Sequence, residues 1–487
     1  MNRIAFTLNG QPREVVDASP NLTLLQWLRG PAGLPGTKEG CAEGDCGACT
    51  VILVEPEALG GPAYRAVNAC LVLLPMVHGR AVYTVEGLAD GGRPHPAQAA
   101  LIEQLGSQCG YCTPGVVMSM FEACYRTDLD EDWKLDDQMC GNLCRCTGYR
   151  PIRDAARQVA GTRPADAFSA ALAEARPEPR ALSYEGAGGR FFMPEDWAGL
   201  WAARAAAPDA VLVNGGTDVC LRITKGFEVL PALISLEALA PLRALEAHPD
   251  GSLFIGAGVH LSDLEAFARD HSPAVERMLR FFGARQIKNR GTVGGNLCNA
   301  SPIGDLAPIF LALGAVAHAR GPGGARTIPL DAFFTGYRQT ALAPDEILEA
   351  VSLPAPPAGD VRVVAYKVSK RQELDISAVS AGLWVRLEDG VVAEARFAFG
   401  GMAATPARAA RAEALALGKP WTEATARAAA AGLDLDFAPL DDHRGSAWYR
   451  GTVAKNLLVG FFLETEGGRG APRLPYRPTG TVQVVAS

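Results

Sequence analysis

Polar and apolar residues alternate over residues 3–8 (Arg3, Ile4, Ala5, Phe6, Thr7, Leu8), a period of two that predicts a β-strand. Asn9-Gly10 follows and the pattern resumes toward Val15-Val16, so the chain is expected to open with a hairpin. Residues 22–28 predict a short helix, and residues 49–54 and 80–85 two more strands, which together make a small sheet with one helix. From about residue 95 the spacing becomes helical. Pro96, Pro114 and Pro151 stand where helices begin, the second of them running through Tyr125. Residues 161–180 are rich in Ala, Pro and Arg and predict an inter-domain linker, after which a new domain begins near Phe191. Strands, glycine turns and helices then mix until a Pro-rich break at residues 353–357. Beyond the break, residues 365–399 predict strands joined at Asp389-Gly390, followed by Ala-rich helices to about Glu464. No period indicates a solenoid.

A chain of 487 residues is too long for one ordinary core, and 48% hydrophobic with 20% charged residues is a globular composition. The formal charge of -7 argues against a nucleic-acid partner. No apolar run reaches the length of a membrane span, and the opening MNRIAFTLNG lacks the basic head and apolar stretch of a signal peptide, so a cytoplasmic protein without membrane contact is expected. Twelve cysteines in such a chain point to metal rather than disulfides, because the cytosol keeps thiols reduced. Ten lie before residue 150, and only Cys220 and Cys298 lie beyond it.

Cys41, Cys46 and Cys49 have the spacing C-x4-C-x2-C with Cys70 downstream, which is the plant-type [2Fe-2S] arrangement. Gly40, Gly44 and Gly47 let the backbone turn so that N–H groups can point at cluster sulfurs. The competing reading is a structural zinc site. A second group combines Cys109 and Cys112 in QCGYCTPG with Cys144 and Cys146 in GNLCRCTGYRPI, both at expected helix ends, whose N–H groups and dipole favour an anionic cluster. Cys124, Cys140, Cys220 and Cys298 are read as small buried or semi-buried residues and not as ligands.

No G-x-G-x-x-G is present; the nearest approach, Gly256-Ala257-Gly258, has Leu261 in the third place, which disfavours a Rossmann site. Two other glycine loops stand out. An apolar strand at residues 210–213 runs into Asn214-Gly215-Gly216-Thr217-Asp218, and Thr292-Val293-Gly294-Gly295-Asn296 precedes Ser301-Pro302-Ile303-Gly304-Asp305 and a helix. Such loops admit a pyrophosphate to backbone N–H groups, although each alone is equally a tight turn and Asp305 equally a helix N-cap.

The cysteine motifs, with Gln108, Thr113-Pro114-Gly115 and the run from 141 to 152, resemble those of the molybdenum hydroxylase family, xanthine dehydrogenase and its relatives. The resemblance implies a multidomain α+β chain. It would comprise a β-grasp [2Fe-2S] ferredoxin domain (1–88), a helical-bundle [2Fe-2S] domain (89–162), a linker (163–187), a vanillyl-alcohol-oxidase-type FAD-binding domain (188–357), a C-terminal α+β flavoprotein domain (358–470) and a tail (471–487). It implies Cys41, Cys46, Cys49 and Cys70 around one cluster, Cys109, Cys112, Cys144 and Cys146 around the other, and Gln108 as a neighbour that is not a ligand. FAD would lie against Leu212, Val213, Asn214, Gly215, Gly216, Thr217, Asp218, Val219, Phe282, Thr292, Val293, Gly294, Gly295, Asn296, Asp305, Leu348 and Lys367, with the following loop to Asp375 as the nicotinamide approach. It further implies an electron-transfer chain partnered by a separate molybdenum-cofactor subunit in a heterotetramer, with NAD+ as acceptor. On that reading purine hydroxylation has no catalytic residue here. Alternatives are the matching subunit of an aldehyde or N-heterocycle hydroxylase, a free-standing flavin and iron-sulfur reductase, and a zinc-stabilised scaffold.

Overall fold

The computed structural model describes residues 2–56, 60–177 and 179–466; the expected tail at 471–487 lies outside them. Strands β1 (Ile4–Leu8) and β2 (Gln11–Val15) form the expected hairpin. Asn9 and Gly10 both take positive φ, 50° and 76°, as a turn of this length requires when its twist must match the strands. Helix α1 (Leu24–Arg29) starts at a capping box between Thr23 and Gln26 and buries Leu24, Leu25, Trp27 and Leu28 against the sheet. Strands β3 (Thr50–Pro56), β4 (Pro62–Asn68) and β5 (Ala81–Tyr83) complete the order β2-β1-β5-β3-β4, in which only β1 and β5 are parallel: a β-grasp.

The next unit is helical: α2 (Pro96–Glu103), α3 (Thr113–Tyr125), α4 (Asp132–Met139) and α5 (Arg150–Val159). α3 is buried along most of its length, packing on β3 and β4 as well as on α2, α4 and α5. The stretch expected as a plain linker holds a helix, α6 (Ala167–Glu174), and a strand, β6 (Leu182–Gly186). Phe168 of α6 explains this, because its ring meets Tyr83, His95 and Phe121 edge-on within 5.5 Å and gives the segment an apolar anchor.

β6 pairs with β7 (Gly189–Met193), so the third domain starts before Phe191. Helix α7 (Trp197–Ala206), β8 (Val211–Val213), α8 (Val219–Thr224) and β9 (Ala232–Ser235) follow, giving a sheet of order β6-β7-β9-β8. A second sheet, β10-β11-β16-β12-β13, is built from β10 (Leu245–Ala247), β11 (Leu253–Gly256), β12 (Val316–Gly321), β13 (Gly324–Pro329) and β16 (Ile347–Leu353); β14 (Phe334–Gly336) and β15 (Gln339–Thr340) form a small ribbon. Between them in the chain lie α9 (Leu261–His271), α10 (Pro273–Arg280), α11 (Arg285–Lys288), α12 (Val293–Cys298) and α13 (Leu306–Ala312).

The last unit is an antiparallel meander of β17 (Asp360–Val368), β18 (Val379–Glu388), β19 (Val391–Gly400) and β20 (Ala407–Arg408). Asp389 and Gly390, again at positive φ, join β18 to β19 as expected. One face carries α14 (Ala410–Ala416), α15 (Glu423–Asp436) and α16 (Ala447–Thr465); the other packs on α13 through Ala365, Trp384 and Ala398. Among the described residues no helix is long and apolar enough to cross a membrane.

Candidate redox centres

The loop between α1 and β3 carries the first three cysteines. Ala42, Gly44 and Gly47 take positive φ (57°, 82° and 69°), which curls the backbone around Cys41. Its Sγ accepts from the N–H groups of Glu43, Asp45 and Cys46 at 3.5, 3.3 and 3.4 Å. The Cys41 thiol is drawn down to about 5, first by the neighbouring Cys46 thiol and then, against burial, by those N–H groups. Cys49 lies with its Sγ 3.4 Å from that of Cys70, and Asn68 Nδ2 approaches it at 3.8 Å. A Cβ on Gly40 would stand 2.8 Å from Cys46 Sγ, so glycine leaves the sulfur its space.

The second group gathers at the starts of two helices. Cys109 and Cys112 precede α3 and Cys144 and Cys146 precede α5; with Gln108, Gly110, Tyr111, Leu143 and Arg145 they line a cavity of about 170 Å³. The thiols pair across the two segments, Cys109 with Cys146 and Cys112 with Cys144. Cys144 N–H donates to Tyr149 Oη at 3.1 Å, and Thr147 Oγ1 lies 3.1 Å from Cys144 Sγ.

In both groups the thiols stand two and two. That is the donor arrangement of a binuclear centre, each pair serving one iron, whereas zinc would draw four donors to one point. Among the described residues no three His, Cys, Asp or Glu side chains converge on a single-ion site. The residues therefore fit two [2Fe-2S] clusters. Cys124 and Cys220, both buried, and the half-buried Cys298 lie apart and are pushed up to about 12 by desolvation, which raises Cys140 as well, so these thiols stay protonated.

The two glycine loops of the third domain meet. Gly215 (φ 74°) backs onto Arg290, where a Cβ would lie 1.9 Å from the carbonyl oxygen, and Asn299 Nδ2 donates to Asp218 Oδ1 at 3.3 Å across the loops. Thr292 caps α12 by accepting from Gly295 N–H at 3.1 Å, while Asn296 Oδ1 is buried without a partner among the described residues. Leu212, Val213 and Val219 flank the first loop, and Val293 and Gly294 form the buried side of the second. Leu348 is a core residue of β16 whose backbone N–H faces the Cys298 thiol. Asp305 is no side-chain cap: Lys367 Nζ reaches its Oδ2 at 2.8 Å and Ser377 Oγ its Oδ1 at 2.5 Å, with Lys367 5.8 Å above the Phe282 ring. Asp305, Lys367 and Phe282 thus converge from three segments. The cradle of bare backbone offers N–H donors to a pyrophosphate, and the orphaned amide oxygen is free to accept from a hydroxyl or amino group of a cofactor that carries one. Asp305→Ala is expected to lower the flavin-to-protein absorbance ratio while iron content holds; unchanged flavin after gel filtration would place FAD elsewhere.

The sequence reading missed the segment from Arg285 to Arg290. It is polar and buried at every residue but the half-buried Ile287: Gln286 contacts Thr50, Ser119 and Asn142, Lys288 pairs with Asp137 (2.7 Å) and Glu265 (2.8 Å), and Asn289 donates to Ala66 O (2.9 Å). Arg290 bridges Glu55 (2.6 Å) and Glu237. The one signal available was the density of charge directly before a glycine loop.

Comparison with known proteins gives four matches in chain order. A 2Fe-2S iron-sulfur cluster binding domain matches residues 6–74, a [2Fe-2S] binding domain 84–157, an FAD binding domain in molybdopterin dehydrogenase 184–356, and a CO dehydrogenase flavoprotein C-terminal domain 364–465. Xanthine dehydrogenase of Emericella nidulans is 35% identical over 94% of this chain and 38% of its own length. Xanthine dehydrogenase/oxidase of Rattus norvegicus is 32% identical over 95% and 39%, so the chain spans about two-fifths of these relatives. Among solved structures, a carbon monoxide dehydrogenase chain from Hydrogenophaga pseudoflava matches at TM-score 0.53 and 27% identity, covering 55% of this chain and 94% of that one. Four domain matches in unbroken order, three of them to cofactor-binding domains, on a fold that brings together two cysteine quartets and a paired glycine cradle, establish this chain as an iron-sulfur and FAD chain of the molybdenum hydroxylase family.

Proposed function

We propose that this chain is the electron-transfer subunit of a cytoplasmic xanthine dehydrogenase, relaying electrons from a molybdenum cofactor on a partner chain to FAD and then NAD+ as hypoxanthine and xanthine become urate. The carrying observation is that the three sites touch in series. Cys109 and Cys146 are exposed at the surface. From the same quartet, the N–H of Leu143, beside Cys144, donates to the Cys46 carbonyl at 3.0 Å. From the first quartet, Leu71 follows Cys70, and its carbonyl accepts from Cys220 at 3.2 Å and lies 2.8 Å from where a Gly216 Cβ would stand. Bound there, iron-sulfur clusters supply single-electron carriers and FAD the conversion of single electrons into a hydride.

The chain's own residues set up the transfer. N–H groups around Cys41 stabilise negative charge on the sulfur, and the glycines keep bulk from between the sites. Tyr111, Leu143 and Tyr149 stand exposed around the second quartet, an apolar rim suited to a large partner surface. The loop after Lys367, held by Arg371 N–H donating to Asp375 Oδ2 at 2.9 Å, is the proposed nicotinamide approach. The heterotetramer with a molybdenum subunit belongs to the same proposal.

A second substrate reading has support: nicotinate hydroxylase hnxS of Emericella nidulans is 29% identical over 94% of this chain. The test is to isolate the native complex and assay NADH formation with hypoxanthine, xanthine, nicotinate and an aldehyde. Xanthine-dependent NADH is expected. Turnover of nicotinate or aldehyde alone would move the substrate, and isolation without a molybdenum-bearing chain would contradict the relay.

A further inference from the structure

We infer that the hydrogen bond from Leu143 N–H to the Cys46 carbonyl is the electron path between the two cysteine sites, and that Gln286, a residue of the flavin domain, is the positioning residue that holds it. This deepens the relay reading and rests on it. Electron tunnelling falls off more slowly along covalent and hydrogen bonds than across a gap. From the Cys144 thiol to the Cys46 thiol the route is backbone throughout, interrupted by one hydrogen bond of 3.0 Å. The other contacts between the sites are longer detours: Asn142 Nδ2 reaches Gly47 O at 3.2 Å, and Tyr111 Oη, at the end of its side chain, reaches Glu39 O. One electron leaves the second site and one arrives at the first. No proton moves and no bond changes, so the path has only to conduct.

The two backbones approach this closely because glycines line the contact. A Cβ on Gly47 would lie 2.1 Å from Gly141 O, and one on Gly115 2.1 Å from Gly47 O. Bare backbone gives closeness but no lock. Gln286 supplies the lock: it is 1% exposed, and its Nε2 meets Asn142 Oδ1 at 3.1 Å, Ser119 Oγ at 3.1 Å and Thr50 Oγ1 at 3.3 Å. Thr50 follows Cys49 in the first domain; Asn142 precedes Leu143 in the second. Thr50 Oγ1 donates to Gly47 O at 2.6 Å, which leaves its lone pairs to accept from Gln286. One amide thus ties both cysteine loops to the flavin domain, and a Cβ on Gly141 would strike its Oε1 at 2.0 Å.

The test uses the holoenzyme complex. With both clusters reduced, low-temperature EPR of the wild type should show exchange splitting between the two signals; two signals coupled only through space would overturn the path. Gln286→Met keeps the side-chain volume and removes the donors. Iron, flavin and both midpoint potentials are expected to hold while the splitting narrows and stopped-flow flavin reduction slows by roughly 10-fold, the scale of a lost outer partner. Asn142→Leu should do the same, and it decides the matter should Gln286→Met lose iron. Unchanged splitting and rate in either fully loaded variant would overturn the inference. A wild-type complex with fewer than two iron-sulfur signals would sink the relay itself, a different failure.

Discussion

Serine at position 144 in place of cysteine is expected to erase one of two distinguishable [2Fe-2S] EPR signals and leave FAD bound. Cys144 lies buried beside Cys112 at the start of a helix, its backbone N–H tied to Tyr149, so an alcohol there replaces a thiolate ligand while the loop keeps its shape. The flavin cradle lies in another domain, built from residues 212–219 and 292–296, and shares no side chain with this quartet. Flavin reduction by substrate should fall by more than the roughly 10–100-fold that follows loss of an outer partner, because an electron carrier is missing. EPR after dithionite reduction, with iron and flavin assayed in the same sample, reads the result. Two intact signals would mean that Cys144 is not a ligand.

Arg290→Met should be the most destabilising single change in the domain interface. The guanidinium is 1% exposed and bridges Glu55 of the β-grasp domain to Glu237 of the flavin domain, and Arg80 pairs with the same two carboxylates at 3.3 and 2.6 Å. Burial would raise the carboxyl of Glu55, yet Arg290 and then Arg80 hold it down at about 2. Removing one cation leaves two buried carboxylates sharing the other, and such broken pairs cost about 3–5 kcal/mol. Urea unfolding followed by flavin fluorescence should show a lower midpoint, with domain separation before loss of secondary structure. An unfolding free energy within about 0.5 kcal/mol of wild type, the scale of an ordinary surface change, would show that the network is not what joins the domains.

Whatever depends on neighbours in the chain could be read before the fold was known. The period-two strands with Asn9-Gly10 and Asp389-Gly390 between them became hairpins, because positive φ at both turn residues is a local property. The cysteine spacings and glycine loops were legible for the same reason: they are chemistry written over a few consecutive residues. Tertiary structure decided the rest. β4 shows no alternation because both its faces are covered, so Arg65 and Asn68 are buried like core residues. α4 reads as a polar stretch, yet it buries Trp133, Asp137 and Gln138, with Asp137 paired to Lys288 of the polar segment before the second glycine loop and Gln138 donating to Ser119 and Glu122 of α3. Arg290 finds Glu55 from 235 positions away, and Gln286 finds Asn142 from 144. A buried charge or amide is stable only when its partner arrives from elsewhere in the fold, and no local pattern records which partner that will be.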